Sequence, residues 1–320
     1  TSTLPSDKNN FGPRLGFAYD VSGDGKTSIR GGIGIYYGRI LGGHIWNNLL
    51  RTGNPAGQGT VTIAQTVTTN CFPLVPAATA PCAPIFPNVL PNSGLTLAAA
   101  TINFFEKDFQ SPQILQYDFI LERQIAKNTV VSISYIGSLG RKLPTFVDQN
   151  LAQTGATRTI NVYGGIFNGQ SFRLPTYTRA NSSLPSLLRF QSSVKSEYNA
   201  LVLQANRRLS NGLQFQASYT LAKSVDNGQN SQITTSIFNQ PLDVLDATYN
   251  FGPSNFDVRH KFVVSAVYAP NFYKGTNNSL GNYFLNGWSI APIYTFYSGV
   301  PFTGAGPNNL NGTNGSNMFP

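Results

Sequence analysis

The feature that most constrains this chain is a strict alternation of apolar and polar residues from Leu213 to Leu221. The segment reads Leu-Gln-Phe-Gln-Ala-Ser-Tyr-Thr-Leu, and a period of two places all its apolar side chains on one face of a β-strand. Ser210-Asn211-Gly212 precedes it and predicts a tight turn, because Asn and Gly tolerate positive φ. A second extended run, Tyr198 to Leu209, precedes the turn. Together the two runs predict a β-hairpin.

The same hairpin pattern recurs along the chain. About eight runs are typical of strands, and they form four pairs that are each joined by a short or medium connection. The pairs are Arg14–Asp20 with Thr27–Gly38, Pro112–Gln124 with Thr129–Leu139, Tyr198–Leu209 with Leu213–Val225, and Asn255–Pro270 with Asn286–Ser298. Pro292, in the last run, indicates a bulge or an edge position there, because proline cannot donate a hydrogen bond to a β-ladder.

The connections between the hairpins are long, and all of them leave the same end of the strands. They run from Arg39 to about Ser111, from Gly140 to about Ser193 and from Asp226 to about Ser254. Structureless loops longer than about 15 residues are uncommon in compact soluble domains. Outer-membrane barrels, in contrast, have short periplasmic turns and long extracellular loops. The pattern therefore predicts an all-β fold, an antiparallel transmembrane β-barrel.

Composition agrees with this prediction. Charged residues are 11% of the 320-residue chain, against roughly 25% in an average soluble domain, and aromatic residues are 12%. No run of about 18 apolar residues occurs, which excludes a transmembrane helix. A Tyr-rich, Gly-rich and largely uncharged chain suits a membrane barrel, although composition alone also fits a secreted β-sandwich.

The net charge is +9, but the Lys and Arg residues are scattered. No cluster of them is typical of a nucleic-acid-binding patch, so we expect no nucleic-acid partner. The sign of the charge suggests that a basic outer rim contacts lipopolysaccharide phosphates. We therefore expect outer-membrane lipid and lipopolysaccharide as partners.

The two cysteines, Cys71 and Cys82, lie in one long connection. A metal site would need more ligands nearby, and the only histidines are His44 and His260. A local disulfide between Cys71 and Cys82 in an oxidising compartment is the favoured interpretation. The sequence predicts no metal site and no cofactor.

Two glycine-rich segments resemble ligand motifs only in part. Asp20–Gly25 begins like a calcium loop, but the twelfth position is Gly31, which has no side-chain ligand. We interpret the segment as a turn. The pattern Gly32-x-Gly34 lacks the third glycine of a dinucleotide fingerprint, and it lies in a strand. We expect them to thin the barrel wall where a plug or another side chain packs.

Ser254, Asp257 and His260 contain the residue types of a catalytic triad. They lie at the start of a strand, and many serines are present by chance. We interpret Asp257, Arg259 and Lys261 as a ladder of lumen charges instead. The sequence therefore predicts no catalytic residue and no enzyme.

Two sets of side chains are expected to mark the faces of the barrel wall. Charge facing lipid costs about 2–4 kcal/mol at the membrane midplane, whereas a water-filled lumen tolerates it. The lumen-facing polar candidates are Arg14, Arg30, Gln116, Asp118, Glu122, Gln214, Gln216, Asp257 and Arg259. Aromatic residues near both ends of the strands match interfacial girdles. The girdle candidates are Phe17, Tyr19, Tyr37, Tyr135, Phe215, Trp288, Tyr294 and Phe296.

Several segments resemble one family. They are Asn10–Asp20, Gly23–Thr27, Arg30–Tyr37, Tyr198–Leu201, Gly212–Thr220 with Lys223-Ser224, Phe256–Phe262, Asn286–Trp288 and Ser298–Phe302. In this order the chain resembles the barrel of TonB-dependent outer-membrane receptors, most closely the Oar-like group with its carboxypeptidase-regulatory-like domain. The matches cover most of the strands, and the long connections match nothing in particular.

The resemblance implies a 22-stranded barrel closed by a plug, which takes up a scarce ligand with energy from an inner-membrane complex. It also implies a TonB-type energy-coupling protein as partner of the full receptor. The sequence contains no plug, no N-terminal energy-coupling box and no final aromatic strand end. We therefore expect residues 1–320 to be part of one outer-membrane β-barrel domain in a Gram-negative bacterium.

Two other arrangements remain open. Eight strands could close alone into a small barrel, a structural or adhesive surface protein without a transport path. Alternatively, a secreted protein could assemble by pairing its open edges. An open sheet in lipid costs several kcal/mol for each unsatisfied backbone group. Both edges are therefore expected to be covered by the remainder of the barrel or by a partner chain.

Overall fold

The computed structural model describes residues 5–52, 101–164, 168–184, 186–228, 251–270 and 279–301. Its main feature is an antiparallel sheet of eight consecutive strands, in which each strand pairs with the one before it along this path. These are β1 (Arg14–Asp20), β2 (Thr27–Tyr37), β4 (Gln113–Ala126), β5 (Thr129–Asp148), β8 (Leu187–Ser210), β9 (Leu213–Asp226), β11 (His260–Tyr268) and β12 (Ile293–Tyr297). The predicted disulfide, Cys71 with Cys82, lies outside the described residues and stays a prediction.

The remaining elements lie off this path. They are α1 (Gly42–Leu50), β3 (Ile102–Phe105), β6 (Leu151–Asn161), β7 (Ser171–Arg179), β10 (Gly252–Pro253) and α2 (Ser279–Leu285). β3 pairs in parallel with β8, β10 pairs with β9, and β6 with β7 forms a separate two-stranded sheet. Neither helix in the described part of the chain is long and apolar enough to cross a membrane.

The predicted hairpins are present, and their turns follow the predicted chemistry. β1 has the predicted bounds, and β2 ends one residue before the prediction. Between β8 and β9, Asn211 has φ 50° and Gly212 has φ 74°. Two successive positive φ values let a two-residue turn follow the twist of its strands. A Cβ on Gly212 would also meet the carbonyl oxygen of Ala269.

The strands on both sides of the long connection predicted from Gly140 to about Ser193 extend into it. β5 continues to Asp148 and β8 begins at Leu187, so both strands extend well beyond the rest of the sheet. Phe146, Val147 and Asp148 are all buried. Because this end of β5 is covered on both faces, its sequence lacks the alternation by which a half-buried strand is recognised.

The last two strands are shorter than predicted. β11 begins at His260 and β12 at Ile293, so Asp257, Arg259 and Trp288 precede the strands in which they were expected. Pro292 lies just before β12, where its carbonyl accepts a hydrogen bond from the Ala266 N–H. Proline has no N–H to return, which interrupts the ladder at this point. Beyond it, Tyr268 and Ile290 form an isolated antiparallel bridge.

The sheet is open. β1 and β12 are its two edges, and no pairing between them occurs among the described strands. Every residue of both strands is exposed. Strand edges carry unpaired N–H and C=O groups, so each edge offers a template for a further strand.

The register gives the two faces of the sheet opposite character. The apolar face carries most of the large apolar side chains, and the polar face carries the residues between them. Ile133 on the apolar face is 51% exposed, whereas Ala200 and Val202 on the polar face are buried. Large apolar groups outside and small or polar groups inside are the arrangement of a barrel in lipid.

Candidate functional site

The polar face brings most of the lumen candidates together. Opposite residues of an antiparallel pair share a face. The register therefore places one set of the candidates on a common face, namely Arg14, Arg30, Gln116, Asp118, Glu122, Gln214 and Gln216. That this face lines a lumen remains a prediction.

Charged groups on this face are paired with nearby side chains. Arg30 Nη2 lies 2.7 Å from Glu122 Oε2, across the β2–β4 pair. Arg14 Cζ lies 4.4 Å from the centroid of the Tyr36 ring. Both arrangements hold a partly exposed guanidinium in a fixed position.

Gly32 and Gly34 leave room for these side chains. A Cβ on Gly34 would come within 3.0 Å of Arg14 Cγ, and a Cβ on Gly32 would come within 3.0 Å of Asp118 Oδ1. The expectation that side chains pack on these glycines is therefore confirmed.

Asp257 and Arg259 lie before β11 and fasten it to β9. Asp257 Oδ1 accepts a hydrogen bond of 2.7 Å from the Ser224 N–H. Arg259 Nη1 donates to the Ala222 carbonyl at 3.2 Å. Both side chains thus bind backbone groups of the neighbouring strand.

The apolar face carries most of the girdle candidates. The register places on it Phe17, Tyr19, Tyr37, Tyr135, Phe215, Tyr294 and Phe296. Trp288 lies between α2 and β12, is 67% exposed and donates from Nε1 to the Phe284 carbonyl at 2.8 Å. The division of these residues into two girdles remains a prediction.

Residues that pair across neighbouring strands form rows on this face. One such row, from β1 to β9, begins with Leu15 and Ile33 and ends with Asn199 and Lys223. A row that changes from apolar to polar is expected when strands are inclined to the membrane normal, because paired residues then lie at different depths.

A hydrogen-bonded group on the apolar face was missed by sequence reasoning. The hydroxyls of Tyr117 and Tyr135 both donate to Asn199 Oδ1, at 2.9 and 2.8 Å. The Tyr117 ring crosses over Gly137, where a Cβ would overlap it. The signal that could have revealed this group is the break in the apolar pattern at Gly137 and Asn199, which face each other in register.

The extended parts of β5 and β8 carry a second feature, a packed aromatic cluster. We call it the loop core, and it consists of Phe109, Phe146, Leu188 and Phe190. Phe190 is fully buried, with its ring centroid 5.0 Å from that of Phe109 and 4.7 Å from that of Phe146. Aromatic contacts of this kind hold a loop region in one conformation.

His44 connects α1 to the loop core. Its ring centroid lies 4.8 Å from that of Phe190, and its side chain is buried. Among the described residues, Nδ1 of His44 and the Oδ1 atoms of Asn48 and Asn103 have no hydrogen-bond partner. Burial lowers the pKa of His44 below its usual range, because desolvation disfavours the imidazolium.

Asp148 and Asn150 fasten the β6–β7 hairpin to the base of the loop core. Asp148 Oδ1 accepts hydrogen bonds from the Asn150 and Leu187 N–H groups, at 2.9 and 3.0 Å. Asn150 Nδ2 donates to the carbonyls of Asn181 and Leu184. Both Asp148 and Asn150 are buried.

The residues that resemble a catalytic triad and a calcium loop make other contacts in the structure. Asp257 binds the Ser224 N–H, while His260 Nδ1 lies 2.8 Å from the Tyr219 hydroxyl. The carboxylate of Asp20 accepts three backbone N–H bonds within its own turn, as a turn residue does. Within the described ranges, no three His, Cys, Asp or Glu side chains are grouped so that they could hold a metal ion.

Comparison with protein families identifies the fold. The model of the outer membrane beta barrel domain family matches residues 1–320. The chain belongs to this family. As an outer-membrane β-barrel protein, it resides in the outer membrane of a Gram-negative bacterium. A sequence search of curated proteins finds no match.

Two solved structures are similar to this outer-membrane β-barrel protein. The outer membrane transporter YddB from Escherichia coli aligns with 89% of the chain at 11% identity and a TM-score of 0.45. The siderophore receptor PirA from Acinetobacter baumannii aligns with 89% at 9% identity and a TM-score of 0.34. The chain spans about a third of the length of each, with 33% covered in both cases.

Proposed function

We propose that this chain forms part of the barrel of a TonB-dependent receptor, and that its long connections form the outer surface that receives a scarce ligand. The loop core is the observation that carries the proposal. It holds α1, β3 and the ends of β5 and β8 in a packed arrangement. A packed outer surface can hold ligand-contacting groups in fixed positions, which lowers the entropic cost of binding.

The open edges support the same proposal. Unsatisfied backbone groups in lipid cost several kcal/mol each, so β1 and β12 need partners. We infer that further strands of the same receptor pair with them and enclose a lumen lined by the polar face. The proposal requires no catalytic residue and no cofactor, and it gives the full receptor a TonB-type energy-coupling protein as partner. The Oar-like group is the subgroup to which we assign it.

The experiment compares cells that express the full receptor with cells that lack it. Depletion of solutes from the medium is measured with and without an uncoupler of the inner membrane. We expect at least one solute whose depletion requires both the receptor and an energised inner membrane. Photo-crosslinking of the receptor to the TonB-type protein provides a readout that needs no known ligand. Equal depletion in all cells, together with no crosslink, would contradict the proposal.

A second candidate function rests on the exposure of both edge strands. A chain whose edges pair between copies would be a self-assembling or adhesive surface protein, and closure of the eight strands would give a small barrel. Intact mass of the protein purified from outer membranes separates these cases. A mass of the single denatured chain far above 34.6 kDa supports the receptor, whereas a single-chain mass near this value supports the alternatives.

A further inference from the structure

A row of polar or small residues interrupts the apolar face near the long-connection end of the sheet. The register places its members side by side on four consecutive strands. They are Tyr117, Gly137, Asn199 and Lys223. The next row toward the short turns contains Leu201 and Leu221, which face each other and are both 38% exposed. Polar hydrogen-bond donors thus lie next to an apolar surface, on the side of the long connections.

Two hydroxyl groups fix the amide of Asn199. Its Oδ1 accepts from both Tyr117 and Tyr135, so the oxygen side of the amide is turned toward the tyrosines. The Nδ2 group carries two protons and has no bond to either hydroxyl. Since the Tyr117 ring lies over Gly137, which has no side chain to displace it, this arrangement is preorganised.

Lys223 adds a positive charge beside this amide. It faces Asn199 in register and is exposed, and the Cβ atoms of such a pair lie about 5 Å apart. Within the part of the chain that the structure describes, neither the Lys223 ammonium nor Asn199 Nδ2 has a hydrogen-bond or ion-pair partner. Together the Lys223 ammonium and the Asn199 Nδ2 group can bind the oxygen atoms of one anionic group.

The depth of Lys223 matches the membrane boundary. Lys223 follows Leu213, the first residue of β9, by ten positions, which corresponds to about 33 Å along the strand. A tilt of about 40° reduces this to about 25 Å of height, the thickness of the apolar band of an outer-membrane barrel. Lys223 therefore lies where the hydrocarbon region ends and the headgroups begin.

An apolar groove lies on the same strands, toward the short turns. Its volume is about 350 Å³, and small side chains, Ala205 and Ala217, face each other within it. The larger apolar side chains that line it are Ile133, Leu203, Tyr219 and Phe262. Tyr219 precedes Lys223 by four residues, about 13 Å along the strand. A ligand with an anionic head and an aliphatic chain could therefore occupy both.

We propose that Lys223 and Asn199 bind a phosphate group of lipid A in the outer leaflet, with one acyl chain in the groove. Phosphate is an acceptor that matches an ammonium and an amide N–H, and lipid A joins phosphate to acyl chains. The inference needs the outer-membrane location and the outward orientation of the long connections. It does not depend on transport, so its failure would leave the proposed function standing.

The test uses the full protein in mild detergent and native mass spectrometry with bis-phosphorylated lipid A. Lys223→Gln should weaken lipid A binding about tenfold or more, because a hydrogen bond to a charged group is lost. Lys223→Arg should retain binding. Lys261→Gln is the matched control, because it removes one charge from the opposite face at a residue that pairs with Thr220. It should bind like the wild type.

Three results would overturn the inference. The first is equal weakening in Lys223→Gln and Lys261→Gln, which would indicate a general effect of charge. The second is binding of phosphatidylglycerol as tight as that of lipid A, which would indicate an unselective anionic surface. The third is displacement of lipid A by an equal concentration of inorganic phosphate, which would mean that the groove contributes nothing. Heat-modifiable mobility in gels confirms that each variant is folded.

Discussion

At the scale of single residues, several strand glycines lie where a neighbouring side chain crosses over them. The Phe17 ring covers Gly31, the Tyr117 ring covers Gly137, and Arg14 lies against Gly34. A strand glycine normally weakens a sheet, and close approach of another group is the usual reason for it. In this sheet the ring or chain of the neighbour fills the space that a Cβ would occupy.

Gly137→Ala tests this interpretation. The new methyl group would overlap the Tyr117 ring, so we expect the free energy of unfolding to fall by about 1–3 kcal/mol, as in overpacked sites. Unfolding by urea in lipid vesicles provides the measurement. Gly252→Ala is the control, because no atom of the described residues lies within 4 Å of its Cβ position. Equal effects of the two substitutions would show that Tyr117 does not cover Gly137 in lipid.

His44 makes the loop core sensitive to pH. Its pKa is lowered by burial, so below the ordinary value of about 6.5 the unfolded state binds more protons than the folded one. The stability of the loop core should therefore be complete above pH 6.5 and fall as the pH decreases, by at most about 1.4 kcal/mol per pH unit.

Hydrogen exchange of α1, corrected for the intrinsic effect of pH, measures this change. Between pH 7.5 and 5.5 the protection of α1 should decrease in the wild type. His44→Gln should lose most of this dependence, because glutamine does not titrate. Unchanged protection in the wild type over this range would mean that His44 is not buried in the neutral form.

At the scale of elements, the sheet could be predicted from sequence much better than the loop core. The β8–β9 hairpin follows from alternation and from Asn211-Gly212, because each of its faces has one environment and the register depends on local turn chemistry. The contact of β3 with β8 joins residues far apart in sequence, Phe105 with Phe190 among them. Nothing local in the sequence encodes such a contact.

In the candidate site too, local sequence predicts some features, whereas contacts between distant residues could not be predicted. The lumen candidates share a face because side chains alternate between the two faces of a strand, a period that can be read from the sequence. The bonds from Tyr117 and Tyr135 to Asn199 depend on the relative shift of three strands, which no single segment specifies. The extension of β5 to Asp148 was missed for another reason, because burial on both faces removes alternation.

Phe190→Ala tests whether the loop core is an element of its own. Phe190 is fully buried between Phe109, Phe146 and His44. Truncating it should cost about 3–5 kcal/mol, and the loss should be local to the loop core. We expect faster proteolysis and exchange in α1 and β3, with unchanged urea unfolding of the membrane strands.

Tyr163→Ala is the control for Phe190→Ala. Tyr163 is 87% exposed, so its truncation should change neither proteolysis nor exchange. If Phe190→Ala destabilised the membrane strands as much as α1, the loop core and the sheet would unfold as one unit. The packed outer surface would then not be a separate element.

At the scale of the whole molecule, the architecture depends on what pairs with the two edge strands. The main path of the sheet runs through eight strands in sequence order, and β1 and β12 do not pair with each other in the described part of the chain. The exposed apolar face requires lipid, and in lipid both edge strands need partners. A larger barrel satisfies both requirements, since further strands separate β1 from β12.

The distance between β1 and β12 tests this claim most directly. Spin labels at Ala18 and Thr295, two exposed residues on these strands, can be attached after Cys71 and Cys82 are replaced by serine. Pulsed electron paramagnetic resonance on protein from outer membranes then measures their separation. We predict more than about 15 Å, or at least three strand spacings of about 4.8 Å. A separation of a single strand spacing would mean that the eight strands close on themselves, and would contradict the account.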